Sequence, residues 1–351
     1  QRLGVQGVGL GIIARCDNTG LGNQTLELVK MLNPDKVLVI DSTPFNKNKQ
    51  HPERYQDRRH RVVSGFPTSS DITNFLSGID VVISCETFYH KKLVDMARKK
   101  KVRTILQYNF EFFTGFISLQ ESMPTVLLAP SMWRIDEMRD RFGSLSKIEF
   151  LPPPTDAEAF NKNRVDNIRD SRKLLHIAGK AAAHDRNGTK SVIEMLRYSE
   201  SDYNLVIKSQ TPLDIDCDDV RLTVKVSNED NNEDLYHGFD AMVLPRRYAG
   251  LCLPMNEALL SGLPVFMTDI SPNNLILPKK WLARSEIIGN FMAKKSIDIY
   301  NADPKDLAEK IDQYFDASDK KLLKEEAFSL GYETFSQESL RQKYIDLINS
   351  V

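Results

Sequence analysis

At 351 residues, with 41% hydrophobic and 27% charged side chains, the chain has the make-up of an ordinary globular protein, but it is longer than one core usually supports, so two domains are expected. Net charge is only −1, yet it is unevenly divided: residues 1–150 carry 21 Lys and Arg against 16 Asp and Glu, which leaves the remainder acidic. No apolar run approaches the ~20 residues of a membrane span and no signal-like segment opens the chain, so a cytoplasmic location is expected. Cys16, Cys85, Cys217 and Cys252 form no C-x-x-C, and no two histidines have zinc-ligand spacing, which points to free thiols and no zinc site.

Strand-like runs at 10–14, 36–41, 80–84, 102–106, 125–129 and 147–151 alternate with helical patterns such as 23–32, 90–99 and 132–142, the signature of a doubly wound parallel sheet. After the first strand comes DNTGLGNQT (17–25). There Gly20 and Gly22 either admit a ligand close to the backbone at a helix N-terminus or form a simple capped turn. The match of residues 9–14 to G-x-G-x-x-A runs into a strand instead of following one, so it does not meet the needs of a dinucleotide loop. Two basic clusters, 47–61 with Arg58 and Arg59, and 98–103 with Lys99 and Lys100, account for much of the positive charge. They read as solvated faces or as a border for a polyanion.

Three prolines at 152–154 stop the pattern and place a domain boundary between 152 and 153. A second series follows, with strands at 174–178, 204–208, 220–226, 240–245 and 264–268 and a helical tail from 304. Its first strand runs into GKAAAHDRNG (179–188), where Gly179 makes the turn and Lys180 and Arg186 supply cations suited to a diphosphate, unless the loop is merely solvated. In DIDCDD (214–219) a D-x-D pattern occurs twice. It is the metal-holding motif of another transferase class, or an acidic loop. The stretch VLPRRYAGLCLPMNEALLSGLPVFMTD (243–269) reads as strand, loop, helix, strand, with the amides of Gly250, Leu251 and Cys252 ahead of a helix end. Glu257 is placed in the first turn of that helix, where capping or a bond to ribose hydroxyls would explain it.

Together GKAAAHDRNG, AGLCLPMNE and SGLPV, with TGLGNQT and the run from APSMW to FLPPPTD, resemble the retaining GT4 family of GT-B glycosyltransferases. More narrowly, DNTGLGNQT and LPRRYAGLCLP are similar to bacteriophage-encoded glycosyltransferases. The resemblance covers nearly the whole chain. It implies two Rossmann-like domains facing a central cleft, residues 1–152 on the acceptor side and 153–326 on the nucleotide-sugar side, with helices in 327–351 packing back on the first. It also implies a UDP- or GDP-sugar donor and no metal or other cofactor. Lys180, Arg186 and the amides at 250–252 would hold the diphosphate, and Glu257 the ribose. Two family residues are missing: Ala249 stands where a donor-binding Glu is expected, and no His follows the strand at 102–106, so Tyr108, Asn109 or Glu111 would take its place.

The implied activity is transfer of a sugar to an acceptor hydroxyl. Phage DNA with hydroxymethylpyrimidine bases, flipped out of the duplex, is the first acceptor considered, in which case the cytoplasm is the host's. A protein or cell-surface glycan is the second. A nucleotide-sugar epimerase, a hydrolase and an inactive binding protein remain open.

Overall fold

The computed structural model describes residues 5, 7–113, 122–180, 183–229, 231–248, 250–293 and 295–351. Short β-branched runs, buried on both faces, become central strands of parallel sheets, because such strands need helices above and below. The chain divides into two compact units, Gln1–Thr155 with Phe335–Val351, and Asp156–Thr334.

In the first unit the strands are β1 (Leu10–Arg15), β2 (Lys36–Asp41), β3 (His60–Ser64), β4 (Val81–Cys85), β5 (Arg103–Gln107), β6 (Val126–Ala129) and β7 (Lys147–Phe150). They pair in parallel in the order β3-β2-β1-β4-β5-β6-β7. The winding reverses between β1 and β4, which opens a crevice at their carboxyl ends. Ile12, Val39, Ile83 and Ile105 pack with Leu28 and Val29 of the helix Gly20–Leu32 and with Leu340, Tyr344 and Ile348 of the helix Gln337–Ser350. Tyr344 donates its hydroxyl to the Pro152 carbonyl (2.8 Å), and the Thr155 amide bonds the Phe335 carbonyl (2.8 Å), so the returning chain is stitched to the strand side of the boundary.

The second unit holds β8 (Lys173–Gly179), β9 (Asn204–Ser209), β10 (Leu222–Val226), β11 (Ala241–Leu244), β12 (Val265–Thr268) and β13 (Leu282–Ala283), parallel in the order β10-β9-β8-β11-β12-β13. Its winding reverses between β8 and β11. A hairpin, β14 (Ser285–Met292) with β15 (Ser296–Ala302), forms a separate antiparallel pair. The units part three residues after the expected 152/153 boundary. Residues 327–334, expected with the first domain, stay in the second, as the last turns of the helix Lys320–Phe335. That helix is tied there by Lys324, 4% exposed, whose ammonium binds the buried Asp240 carboxylate and the carbonyls of Asn167 and Arg169.

Four strands, β3, β13, β14 and β15, have no counterpart in the sequence reading. β3 is an edge strand whose residues are mostly charged or exposed, and β14 is exposed along nearly its whole length, so neither shows a buried run. Among the described residues, no helix is long and apolar enough to cross a membrane.

Candidate functional site

At the carboxyl edge of the first sheet, Asp17 is fully buried. It accepts hydrogen bonds from Thr19 Oγ1 (2.5 Å) and Ser42 Oγ (2.8 Å) and pairs with the Arg15 guanidinium. Burial pushes its carboxyl up, but the bonds from Thr19, Arg15 and Ser42 outweigh that and hold it below the usual carboxylate range. Gly22 is required here for packing: a Cβ would lie 2.0 Å from the Asp17 carbonyl oxygen. Thr19 caps the helix through the Gly22 amide, and Gly20 is exposed. The connection from β2 to β3, which carries part of the basic cluster 47–61, crosses this edge: His51 donates its amide to the Cys16 carbonyl (2.6 Å) and Arg54 binds Asn18 Oδ1 (2.5 Å).

Beyond β5 the three candidates for the missing His separate. Tyr108 is 2% exposed, packs on Phe113 and has its hydroxyl buried, so its side chain belongs to the core; Asn109 and Glu111 are partly exposed. Arg58 and Arg59 directly precede β3, and Lys99 and Lys100 end the helix that leads into β5. All four therefore stand at the amino edge, away from Asp17 and Asn109 by roughly the length of a five-residue strand, about 16 Å.

In the second unit the switch point collects the residues singled out in GKAAAHDRNG and LPRRYAGLCLP. Gly188, at φ +72°, lies so close to the β11 exit that a Cβ would meet the Pro245 carbonyl oxygen at 2.2 Å. The Arg247 amide bonds the Arg186 carbonyl (2.9 Å), Arg247 Nη1 the His184 carbonyl (2.6 Å), and the Tyr248 hydroxyl the Ala183 carbonyl (2.6 Å). The two loops are thus one structure, over which Phe291 of β14 stacks on His184 (4.5 Å between ring centroids). Asp185 spends its carboxylate on the Thr189 and Lys190 amides, capping the helix Thr189–Leu196. Beneath them His176 is fully buried, donating Nδ1–H to the Val243 carbonyl (2.8 Å) and accepting from Thr189 Oγ1 at Nε2 (2.9 Å). Burial lowers its pKa to about 4, so the ring is neutral.

Lys180 is exposed, and among the described residues no carboxylate comes within ion-pair distance of it or of Arg246 and Arg247. The helix Leu253–Leu260 begins at Cys252 without a side-chain cap, so its first amides have no such acceptor, and Gly250 and Leu251 lead into it. Ala249 lies outside the described residues. Glu257 is not in the first turn of this helix, as expected, but a turn further in; it is 7% exposed and accepts a hydrogen bond from Tyr236 (2.6 Å). Capping is therefore not its role. Tyr236, raised well above its ordinary pKa by burial and by the carboxylate beside it, stays a donor and aims Glu257. Tyr236 carries no sequence signal, because it approaches Glu257 only through the fold.

A cavity of about 690 Å³ opens on the other flank of the 179–188 turn, between Ile193 and Glu194 on one side and Leu213 to Asp216 on the other. It shares Lys180 and Arg186 with the turn but none of residues 246–257. Asp214 and Asp216, the D-x-D candidates, line it, while Asp219 is held by Arg221 (2.8 Å).

No protein-family model matches the chain, and no curated protein matches it in sequence. Solved structures do match in fold. Alr3699/HepE of Anabaena, in complex with UDP and glucose, covers 98% of this chain and 100% of its own at 9% identity and a TM-score of 0.66. The sucrose-phosphate synthase of Thermosynechococcus elongatus covers 97% and 98% at 11% identity and a TM-score of 0.62. An alpha-glucosyltransferase (AGT) in complex with UDP covers 97% and 99% at 9% identity and a TM-score of 0.62. The chain has the two-domain α/β fold of these GT-B glycosyltransferases.

Proposed function

We propose that the protein is a glycosyltransferase that takes a sugar from a nucleoside-diphosphate sugar. The observation that carries this reading is the carboxyl edge of β8 and β11, where Lys180, Arg246 and Arg247 have no carboxylate within ion-pair distance among the described residues, Asp185 is consumed as a cap, and the helix Leu253–Leu260 starts without a side-chain cap. A ligand bearing two or more negative charges suits such an edge. Negative charge growing on the leaving diphosphate would be stabilised there by Lys180, Arg186 and the amides at 250–252, in place of a metal ion. Glu257, aimed by Tyr236, would accept bonds from the ribose. UDP is favoured over GDP because HepE and AGT bind UDP in their solved structures.

The finer parts of the reading rest on the GT4-like motifs: retention at the anomeric carbon, a phage source, a cytoplasmic location, and an acceptor served by the first unit, with Asn109 and Glu111 in place of the absent His. For a modified-base DNA acceptor, the cation suited by position is Arg54 at the carboxyl edge, since Arg15 is paired with Asp17. A glycan or protein acceptor would use the same edge through Asn18, His51 and Asn109.

A panel of nucleoside diphosphates and nucleotide sugars, read by thermal shift, tests the donor. UDP and one UDP-sugar should raise the melting temperature with the logarithm of concentration. No stabilisation by any member at millimolar concentration would overturn the reading. Transfer to hydroxymethylated DNA or to a glycan, with the product's anomeric configuration read by NMR, then decides acceptor and stereochemistry, and donor consumed without an acceptor would mark a hydrolase or epimerase.

A further inference from the structure

We propose that Arg246 is the buried cation of an anion receptor at the start of the helix Leu253–Leu260, and that the diphosphate of a bound donor supplies its counter-charge. The proposal rests on the donor reading above and adds a residue that the motifs leave unassigned.

Arg246 leaves β11 one residue after Pro245 and is 6% exposed. Its Nη1 donates to the Leu251 carbonyl (3.0 Å), its Nε is buried without a partner, and no carboxylate of the described residues lies within ion-pair distance. The contrast with Lys324 is direct. That ammonium, buried to a similar degree, is paired with Asp240 and two carbonyls. A buried charge without a partner is destabilising, because water's solvation is lost and nothing in the protein replaces it.

The hydrogen bond to Leu251 also sets a direction. The carbonyl of Leu251 and the amide of Cys252 belong to one planar trans peptide and point to opposite sides. Drawing the carbonyl toward Arg246 therefore turns the Cys252 N–H away from it, at the start of the uncapped helix Leu253–Leu260. A guanidinium on one side of this peptide, its amide on the other and a helix end beside it make an electropositive setting suited to phosphate oxygens. Arg246 acts as a positioning residue through the loop and as a fixed charge behind it.

The test uses inorganic pyrophosphate and UDP as probes on the full chain, with melting temperature followed across concentration in wild type, R246M, R246Q and R246K. Without anion, R246M should melt at or above wild type, since the uncompensated charge is gone. In R246M and R246Q the half-saturating pyrophosphate concentration should rise about tenfold to a hundredfold, as expected for loss of a charged hydrogen-bonding group. R246K should stay within about tenfold of wild type. Equal affinity in R246Q and wild type would overturn the proposal, since Gln can still bond the Leu251 carbonyl but carries no charge. A lowered melting temperature in R246M with unchanged affinity would reduce Arg246 to a brace. Should R246M not fold, R246K must bind at least about tenfold more tightly than R246Q, and equal values overturn the idea. Wild type that responds to neither probe would instead remove the donor reading itself.

Discussion

The two sheets share one winding, reversing between β1 and β4 in the first and between β8 and β11 in the second, yet their carboxyl edges are chemically opposite. In the first, Arg15 is neutralised by the buried Asp17, whose carboxylate also accepts from Thr19 and Ser42, while Arg54 bonds the neutral Asn18 amide oxygen. At the second edge Lys180, Arg246 and Arg247 have no acid partner among the described residues, and the loops are held by bonds of His176 and by donors from 247 and 248 to the carbonyls of 183–186. Topology supplies a crevice in both units. Whether the crevice can take a polyanion depends on how much carboxylate the local chain spends there.

Removing the carboxylate from the self-neutralised edge is the strongest way to break this contrast. Asp17→Ala leaves Arg15 unpaired in a mostly buried site and should cost the first unit about 3–5 kcal/mol, measured as lost hydrogen-exchange protection of the β1 and β4 amides. A cost near zero would mean that the first edge is not held by its ion pair.

Acid distinguishes the edges next. The His176 pKa is depressed from 6.5 to about 4, so the unfolded state takes a proton that the folded state refuses. Its stabilising contribution is complete above pH 6.5 and is lost as pH falls toward 4, about 3 kcal/mol in all. Asp17 is depressed below the carboxylate range and keeps its contribution until the pH falls lower still. The second unit should therefore loosen first on acidification, and His176→Gln should flatten the pH 6.5–4 part of its stability profile. Equal profiles in wild type and variant would count against the buried neutral ring.

Turnover probes the same difference from the ligand's side. Lys180→Ala or Arg186→Ala should slow transfer tenfold to a thousandfold, roughly 1.4–4 kcal/mol, as for loss of a group that stabilises charge in the transition state. Wild-type rates in both would remove them from the mechanism. Chelation by EDTA should leave the rate intact, whereas a strict metal requirement would return the argument to Asp214 and Asp216. The smallest effect belongs to the amino edge: neutralising Arg58, Arg59, Lys99 and Lys100 should change stability by about 0.5 kcal/mol or less each and leave steady-state transfer to a small acceptor unchanged. A steep loss would show that the amino edge serves the reaction after all.

Much of this was legible in the sequence. Central strands show as β-branched runs, and the loops after β8 and β11 announce themselves by Gly188, Pro254 and their cations. The edge strand β3 and the hairpin β14–β15 were not legible, since exposed strands need no apolar run. Glu257 was misplaced by one turn because a helix start is marked by Pro254 only to within a residue or two. The sign of the basic clusters was visible, but which edge of the sheet they occupy was not.

By itself, the sequence determined the alternation of elements, the two-domain organisation and the residue types at the second switch point, all of which follow from local periodicity and turn chemistry. Only the tertiary structure decided which charges are compensated: Asp17 meets Arg15 and Ser42, Glu257 meets Tyr236, and Arg246 meets no acid among the described residues. Periodicity is a property of neighbours along the chain, whereas the free energy of a buried charge depends on partners that folding brings from elsewhere in it.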